Sequence, residues 1–328
     1  MTRAMILAAG FGSRLGALSD ERPKSLLPVA DAPLIRYAVA LLRGHGIREL
    51  VVNLHHHGEL IENELGDGAR LGVAIQYSRE ETLLGTGGGI RRALPLLGDE
   101  PFVVMNGKLV FELDLADLLA RHRDSGAAAT LVVRRDPEAQ KWNAVDAPPE
   151  GGPIRQIFGP GELMFTGVQV LSPELVATLP DDETERCIIR QGHVPWIAEG
   201  RKIHAHVAGG YFMEHSTPER YLEGNINVLR GRAKLTYPPG PLTGVDAAAE
   251  VHAEAELVPP VRIGPGARVG AYAVVGPDVV VGARASVAAG VRVSRAVLWP
   301  GASLARDTDG GIVTRQQRLV IPSPPRDG

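Results

Sequence analysis

The chain has 328 residues and a net formal charge of −3, and 44% of its residues are hydrophobic while 22% are charged. This composition excludes a globally disordered protein, supplies apolar material for about two domains, and lacks the basic excess of nucleic-acid-binding proteins. The single cysteine, Cys187, excludes an intrachain disulfide, and no apolar stretch is long enough to cross a membrane. Residues 1–10 lack the length and the cleavage site of a signal peptide. We therefore expect a cytoplasmic protein that binds neither nucleic acid nor a membrane.

Short β-rich runs alternate with helical apolar spacing in the first 135 residues. The predicted strands are residues 4–9, 49–54, 73–77, 102–105 and 128–134, and the predicted helices are residues 34–45 and 90–97. The first run is apolar throughout, which is typical of a strand buried on both faces of a parallel sheet. The alternation predicts an α/β fold with a Rossmann-like, mostly parallel sheet.

The middle of the chain continues this pattern after an interruption. Residues 147–162 are rich in proline and glycine and predict a surface loop, and a strand signal resumes at 165–171. Residues 218–230 predict a helix, with Thr217 as the N-cap and Pro218 at the first helical position.

A six-residue repeat occupies the last third of the chain. Its apolar positions are Val251, Leu257, Ile263, Val269, Val275, Val281, Val287 and Val293, and Gly264, Gly270, Gly276 and Gly282 follow four of them. A helix would scatter this period around its circumference, whereas a β-solenoid with three short strands per coil turns each position inward. We predict a domain of residues 1–231, a linker of 232–250, a hexapeptide β-helix of 251–304 and an irregular tail of 305–328.

The first candidate site follows the first predicted strand. Residues 7–14 read LAAGFGSR, and residues 23–29 read PKSLLPV. Glycines let a backbone approach a phosphate closely, with N–H groups pointing toward it. The Arg14 guanidinium would add a positive fork for a triphosphate, and Lys24 a point charge at a phosphate.

These two motifs resemble the signature of the sugar-1-phosphate nucleotidyltransferases, the NDP-sugar pyrophosphorylases. Residues 84–90 (LGTGGGI), 165–168 (FTGV) and 216–221 (STPERY) extend the resemblance over most of residues 3–230. The hexad tail is similar to that of mannose-1-phosphate guanylyltransferases, which implies a left-handed β-helix. The glycine-rich run and residues 65–68 (LGDG) also resemble N-acetylmuramate-1-phosphate uridylyltransferases.

The resemblance implies a direct reaction between an NTP and a sugar 1-phosphate, with GTP or UTP as the favoured nucleotide. A sugar phosphate oxygen attacks the α-phosphorus in line, pyrophosphate leaves, and catalysis is positioning plus charge neutralisation. The implied catalytic residues are Arg14, Lys24 and Lys108. The implied nucleotide-binding residues are Ala8, Gly10, Gly12, Ser13, Gly85, Thr86, Gly87, Gly88 and Asn106. The implied sugar-binding residues are Thr166 and Gly167.

The family's metal site is altered in this sequence. The resemblance implies Mg²⁺ held by two aspartates, one after Asn106-Gly107 and one two residues before Ser216. Lys108 and Glu214 stand at these positions. A protonated lysine cannot ligate Mg²⁺ and repels it, so Glu214 is the remaining candidate metal ligand.

Three interpretations of Lys108 remain open from the sequence. Its ammonium could replace the charge of the metal and preserve transferase activity. Its presence could mark a catalytically silent sugar-nucleotide-binding regulatory or partner subunit. The change could instead be compensated by Glu112 or Asp114.

Weaker signals complete the sequence predictions. Residues 55–57 are three consecutive histidines, which predict a strand-to-helix loop rather than a metal cluster, because adjacent side chains on a strand diverge. Acyl transfer by the tail is disfavoured, since its one histidine, His252, lies at the very start. A solenoid end and side face are adhesive, so we expect a homo-oligomer formed through the β-helix or a sheet edge.

Overall fold

A computed structural model of the protein describes residues 2–142 and 144–321. Two compact units divide these residues. Of the described residues, those within Met1–Gly10, Ala38–Gly107 and Leu113–Gly210 form the sheet unit, and those within Phe11–Tyr37, Lys108–Glu112 and Tyr211–Gly328 form the solenoid unit. The solenoid unit therefore contains both the PKSLLPV motif of residues 23–29 and the hexad repeats.

The chain forms many short strands and eight α-helices within the described residues. The first fourteen strands are β1 Ala4–Leu7, β2 Pro28–Val29, β3 Ala32–Pro33, β4 Glu49–Leu54, β5 Ala74–Arg79, β6 Phe102–Asn106, β7 Leu109–Phe111, β8 Ala129–Arg135, β9 Ala144–Asp146, β10 Gly152–Pro153, β11 Gln156–Ile157, β12 Leu163–Leu171, β13 Ile203–Val207 and β14 Phe212–Glu214. The remaining strands are β15 Gly244–Val245, β16 Glu250–Val251, β17 Glu256–Leu257, β18 Val261–Ile263, β19 Arg268–Val269, β20 Val274–Val275, β21 Val279–Val281, β22 Ser286–Val287, β23 Arg292–Leu298, β24 Ser303–Leu304, β25 Thr308–Val313 and β26 Leu319–Val320. The helices are α1 Ala17–Glu21, α2 Leu34–Gly44, α3 Gly58–Leu65, α4 Gly85–Leu97, α5 Leu115–Ser125, α6 Pro173–Ala177, α7 Val194–Ala198 and α8 Pro218–Leu229.

The sheet unit is built on a sheet of order β10-β13-β8-β12-β6-β1-β4-β5. The strands β6, β1, β4 and β5 are parallel neighbours, whereas β12 enters antiparallel between β6 and β8. The first three residues of β1 are apolar and fully buried, as expected of a strand covered on both faces. The predicted α/β fold with a mostly parallel sheet is confirmed.

The solenoid unit contains the predicted left-handed β-helix. Its ladder joins Gly244 to Arg262 and Arg262 to Val280, which corresponds to a coil of 18 residues. The hexad residues from Ile263 to Val293 are at most 3% exposed and form one hydrophobic core. Burial of these side chains against the next coil is what stabilises such a repeat. The hexad pattern therefore predicted the coil and its inward face.

The limits of the solenoid differ from the sequence expectation. Its ladder begins at Gly244, inside the stretch predicted to be a linker, and continues through β25, inside the tail predicted to be irregular. The last coils shorten to 17 and then 15 residues, so the hexad spacing is lost while the strand pairing persists. The irregular-tail prediction is therefore wrong for residues 308–313 and 319–320. Residues 322–328 of that tail lie outside the described residues.

Two smaller differences concern the sheet unit. The stretch 147–162, predicted as a loop, includes the short strands β10 and β11, whose polar backbone groups pair with β13 and β9. The helix predicted to start at Ile90 begins five residues earlier, at Gly85. Among the described residues, no helix combines the length and the apolar character needed to cross a membrane.

Candidate functional site

The end of β1 is fixed by a hydrogen-bonded relay inside the sheet unit. Because β1 and β4 are parallel and in register, Leu7 lies opposite Asn53 at their carboxyl ends. Asn53 Oδ1 accepts a hydrogen bond from the Ala8 N–H at 2.8 Å, and its Nδ2 donates to Glu80 Oε1 at 2.7 Å. The second oxygen of Glu80 accepts from the Leu84 N–H at 3.1 Å. One carboxylate thus connects the first glycine motif to the start of α4.

The sequence analysis did not identify Asn53 or Glu80. Both side chains are buried, and burial raises the pKa of Glu80 against the lowering effect of its hydrogen bonds. The available signal was the polar Asn53 within the apolar residues 50–54 of β4. That signal gains meaning only when the partner carboxylate is known.

The glycine run of residues 85–89 forms the first turn of α4. A Cβ on Gly85, which has φ +69°, would lie 2.5 Å from the Arg186 oxygen. A Cβ on Gly89 would lie 2.6 Å from Glu80 Oε1. The Thr86 hydroxyl accepts from the Ile188 N–H at 3.0 Å. Close packing of the helix start therefore requires these glycines.

This packing bears on the predicted nucleotide-binding residues of α4. Gly87 and Gly88 are buried, and the Gly87 N–H already donates to the Arg186 oxygen at 2.7 Å. Thr86 is exposed and Gly85 is partly exposed. Contact with a nucleobase by this run stays a prediction.

The phosphate-loop glycines differ from those of α4. A Cβ on Gly10 would meet nothing within 4 Å, so packing does not require a glycine there and the space is open to a ligand. Gly12 has φ +70°, and its Cβ would lie 3.4 Å from Lys24 Cβ, so this glycine lets two segments of the solenoid unit approach closely. Ser13 is exposed and begins a 3₁₀ turn, Ser13–Leu15, which carries Arg14.

The predicted sugar-binding strand gives a mixed result. Gly167 has φ +81°, and a Cβ there would lie 2.1 Å from Asn106 Nδ2, so these two residues are in close contact. Thr166 is 2% exposed, and its hydroxyl donates to the Val132 oxygen at 2.8 Å. That bond commits the Thr166 hydroxyl to the sheet, so the structure does not support its predicted contact with the sugar. Contact by Gly167 stays a prediction.

Four charged side chains converge within the solenoid unit. Antiparallel pairing of β7 with β14 places Leu109 opposite Glu214, so Lys108 lies next to the Glu214 carboxylate. Lys108 Nζ is 2.6 Å from Glu214 Oε1, and an Arg14 guanidinium nitrogen is 3.7 Å from the same oxygen. Lys24 interacts electrostatically with all three. We call Arg14, Lys24, Lys108 and Glu214 the cation cluster.

The cation cluster perturbs the titration of its members. Burial and the neighbouring charge of Lys108 lower the pKa of Lys24 to about 7, with a further lowering contribution from Arg14. Burial alone would raise the pKa of Glu214, but the surrounding cations outweigh it and hold that pKa below its ordinary value. At neutral pH the cluster therefore combines an ionised carboxylate with an excess of positive charge.

This donor set does not fit the predicted Mg²⁺. Lys108, at the chain position where the resemblance implies a second carboxylate, places its Nζ 2.6 Å from Glu214 Oε1, and an ammonium offers no lone pair. Among the described residues, no three His, Cys, Asp or Glu side chains are grouped so that they could hold a metal ion. Glu214 as a metal ligand is thus not supported, because its carboxylate pairs with cations instead.

The two carboxylates proposed to compensate for Lys108 are already engaged. Glu112 accepts hydrogen bonds from the Thr236 N–H at 2.8 Å and from its hydroxyl at 2.5 Å. Asp114 is the N-cap of α5 and accepts from the Ala116 and Asp117 N–H groups. The compensation hypothesis therefore loses both of its candidates. The histidines at 55–57 form a loop before α3, as predicted.

Comparison with known proteins places this geometry in a family. The model named Nucleotidyl transferase matches residues 3–158, and the bacterial transferase hexapeptide model of six repeats matches residues 260–295. The chain is similar to the N-acetylmuramate alpha-1-phosphate uridylyltransferase of Neisseria meningitidis serogroup B, with 39% identity over 53% of this chain and 76% of that protein. It is 29% identical to the mannose-1-phosphate guanylyltransferase of Mycobacterium tuberculosis, over 70% of this chain and 65% of that protein.

Solved structures agree at the level of the fold. A UDP-glucose pyrophosphorylase from Acinetobacter baumanii superposes with a TM-score of 0.61 at 19% identity, covering 72% of this chain and 95% of that one. The chain spans slightly less than two-thirds of the length of the mycobacterial relative. The match to the uridylyltransferase, by contrast, covers most of that protein, and we conclude that the chain belongs to the sugar-1-phosphate nucleotidyltransferases of the nucleotidyl transferase family.

Proposed function

We propose that this protein transfers a nucleotidyl group from an NTP to a sugar 1-phosphate, giving an NDP-sugar and pyrophosphate. The observation that carries the proposal is the cation cluster, in which Arg14, Lys24 and Lys108 surround a single carboxylate. Both substrates are phosphates, and the transition state accumulates charge on the transferring group. Fixed positive charges that are already in place stabilise such a transition state without reorganisation.

The charge of Lys24 responds to the substrate. With a pKa of about 7 the amine is only partly protonated at neutral pH, and a phosphate anion beside it would favour its charged form. Arg14, whose side chain is about half exposed, can reach outward with a planar fork suited to phosphate oxygens. We propose that these two residues neutralise the phosphates while the sugar phosphate oxygen attacks the α-phosphorus.

The role of Lys108 follows from the poor fit to a metal. Members of the family generally use Mg²⁺. We propose that in this chain the Lys108 ammonium supplies the fixed positive charge. It stands at the position where the family resemblance implies a metal-binding aspartate. Glu214 then holds Lys108 in place through their 2.6 Å ion pair. Mg²⁺ would enter only as a counter-ion of the nucleotide, without a carboxylate pair from the protein.

GTP and UTP are the favoured nucleotides in this proposal. The two relatives described above are named as a guanylyltransferase and a uridylyltransferase, and their sugars are mannose and N-acetylmuramate. A silent regulatory subunit is the alternative, but no contact among the residues that the structure describes favours it. Acyl transfer remains disfavoured, because His252 is exposed at the first coil and its Nδ1 accepts from the Glu254 N–H.

Pyrophosphate release tests the proposal directly. The purified 328-residue chain is incubated with GTP or UTP, with mannose, glucose or N-acetylmuramate 1-phosphate, and with Mg²⁺. We expect turnover with one nucleotide and one sugar phosphate. Saturable binding of an NTP without turnover for any pair would overturn the enzyme proposal in favour of the regulatory alternative.

Location and assembly complete the proposal. We retain a cytoplasmic location, supported by the single cysteine and by the nucleotide substrates. We also retain a homo-oligomer formed through the β-helix or a sheet edge. Light scattering on the 328-residue chain should give a mass above 34.9 kDa, and a monomeric mass would contradict this part.

A further inference from the structure

The segment that carries Lys24 is held in an unusual backbone conformation. We call residues 23–33 the lysine segment. Two of its residues, Ala30 and Asp31, adopt positive φ angles of 45° and 70° without being glycines. Each such residue costs free energy, on the order of 1 kcal/mol or more, and persists only where its surroundings determine the backbone. Contacts from the rest of the protein must therefore hold the backbone of the lysine segment in this conformation.

Helix α8 supplies part of the restraint. The Tyr221 hydroxyl donates a short hydrogen bond to the Pro28 oxygen, and Asn225 Oδ1 accepts from the Ala30 N–H at 3.0 Å. Asn225 Nδ2 in turn donates to the Tyr221 oxygen at 3.0 Å. Both side chains are fully buried. The hydrogen bonds are thus protected from water and aimed at the backbone of the segment.

The β-helix supplies the rest. Trp299 Nε1 donates to the Tyr221 hydroxyl at 3.1 Å, which orients that hydroxyl toward Pro28. The Ala283 N–H of the β-helix donates to Asp31 Oδ1 at 2.8 Å. Gly264 leaves room for this carboxylate, since a Cβ there would lie 2.3 Å from Asp31 Oδ2.

The contact between the lysine segment and the β-helix is also apolar. Outward-facing side chains of the coils pack with the lysine segment and α8 in one buried cluster. The members from the β-helix are Val280, Val297, Trp299 and Ile312, and those from the lysine segment are Leu27, Val29 and Ala30. The hexad rule predicts only the inward residues of each coil. The outward apolar residues instead pack against the lysine segment and α8.

We propose that the outward face of the β-helix is a positioning surface for Lys24, with Asp31 and Trp299 (through Tyr221) as its positioning residues. Neither residue belongs to the cation cluster, and their hydrogen bonds go to Ala283 and Tyr221. They fix the backbone that carries the lysine, so that its ammonium is held beside Lys108, Glu214 and Arg14 before any phosphate arrives. The proposal rests on the proposed function only for the consequence in catalysis, because the placement of Lys24 can be measured without substrate.

The test uses lysine signals in the intact 328-residue chain. The sequence has five lysines, at positions 24, 108, 141, 202 and 234, so selective ¹³C labelling of lysine gives a small set of side-chain resonances. Each is assigned by its own Lys→Arg variant. Trp299→Phe keeps an aromatic ring but removes the N–H donor, and Asp31→Ala removes the acceptor. Both should shift the Lys24 signal while leaving those of Lys141 and Lys202 unchanged.

Two matched variants separate positioning from stability. Val287→Ala opens a cavity in the inward core of the β-helix, where Val287 belongs to a different hydrophobic cluster, so it should lower the unfolding midpoint without moving the Lys24 signal. Asp31→Asn retains an acceptor oxygen for the Ala283 N–H and should restore the wild-type signal. Asp31→Ala also keeps the test valid if Trp299→Phe fails to fold.

Kinetics provide the second measurement. Misplacement of Lys24 should lower kcat between about tenfold and a hundredfold in Trp299→Phe and Asp31→Ala, with a smaller change in KM for the nucleotide. A Lys24 signal and a kcat that match those of Val287→Ala would overturn the positioning proposal. If the wild type shows no turnover, the function proposal fails, but the lysine signals still decide the placement of Lys24.

Discussion

The start of α4 and the first glycine motif are both rich in glycine, but the glycines have different physical roles. At the start of α4, in the sheet unit, there is no room for a larger side chain, because an added Cβ would collide with Glu80 or with the backbone of Arg186. Gly10, in the first motif, faces open space. In the solenoid unit, charge rather than glycine marks the site, as three cations meet Glu214. A glycine-rich motif therefore indicates a ligand only where no packing demand explains it.

Among changes to the cation cluster, removal of the Lys24 charge should have the largest effect on turnover. Lys24→Met is expected to lower kcat on the order of 1,000-fold, because a preorganised charge at the phosphates is lost. Pyrophosphate release measures the change, and Lys141→Met, at a lysine exposed in its 3₁₀ turn, serves as the control. A loss below about threefold would move the catalytic role away from the cation cluster.

Removal of the Lys108 charge should have the second-largest effect on turnover. Lys108→Met is expected to lower kcat about 100-fold by leaving Glu214 without its close partner. Lys108→Asp places two carboxylates together, and this pair should bind Mn²⁺, detected by loss of the free-ion signal in electron paramagnetic resonance. The wild type should not bind Mn²⁺ comparably in the absence of nucleotide. Equal Mn²⁺ affinity in both proteins would refute the replacement of the metal by Lys108.

A pair of glycine variants separates packing from ligand access. Gly89→Ala should lower the free energy of unfolding by about 2 kcal/mol, since its Cβ would lie 2.6 Å from Glu80 Oε1. Gly10→Ala should leave the free energy of unfolding almost unchanged and weaken nucleotide binding about tenfold.

Denaturant unfolding and nucleotide titration measure these two effects. Gly209→Ala, at another position of the sheet unit with no atom within 4 Å of the added Cβ, is the control for both. If Gly10→Ala destabilises the fold as much as Gly89→Ala does, the distinction between the two motifs fails.

Proton uptake should be the smallest effect. The pKa of Lys24 is lowered to about 7 in the free protein, so above that pH the amine is largely neutral. A bound triphosphate raises this pKa, and binding should therefore take up a fraction of a proton between about pH 7 and 9 and almost none below pH 6. Calorimetry in buffers of different ionisation enthalpy measures the uptake. Lys24→Met should abolish it, and unchanged uptake in that variant would assign the proton elsewhere.

The same pKa predicts a trend in stability. The ordinary value of 10.5 applies to the unfolded chain, so between pH 7 and 10.5 the unfolded state holds more protons at Lys24 than the folded state. Stability relative to Lys24→Met should consequently rise with pH across this window, and reach a plateau outside it. Unfolding midpoints of the two proteins at several pH values test the sign.

The sequence by itself determined the two architectures and the identity of the charged residues. The spacing of apolar residues repeats about every 3.6 residues in a helix, every two in a half-buried strand and every six in the β-helix, because local backbone geometry sets it. Therefore β1, β4, α8 and the inward hexads could be predicted with nearly correct limits. Arg14, Lys24, Lys108 and Glu214 were identified from their motifs. The departure at position 108 was equally visible, because a change of charge needs no structure to be recognised.

Only the tertiary structure decided what these residues do to one another. The ion pair of Lys108 with Glu214 depends on the pairing of β7 with β14, which joins residues more than 100 positions apart. The hydrogen bond from Asn53 to Glu80 and the one from Trp299 to Tyr221 also join segments that are distant in the sequence, with partners 27 and 78 positions apart. Such contacts are set by packing between distant segments, and a local pattern carries no record of them. The outward face of the β-helix is accordingly where sequence alone was least informative.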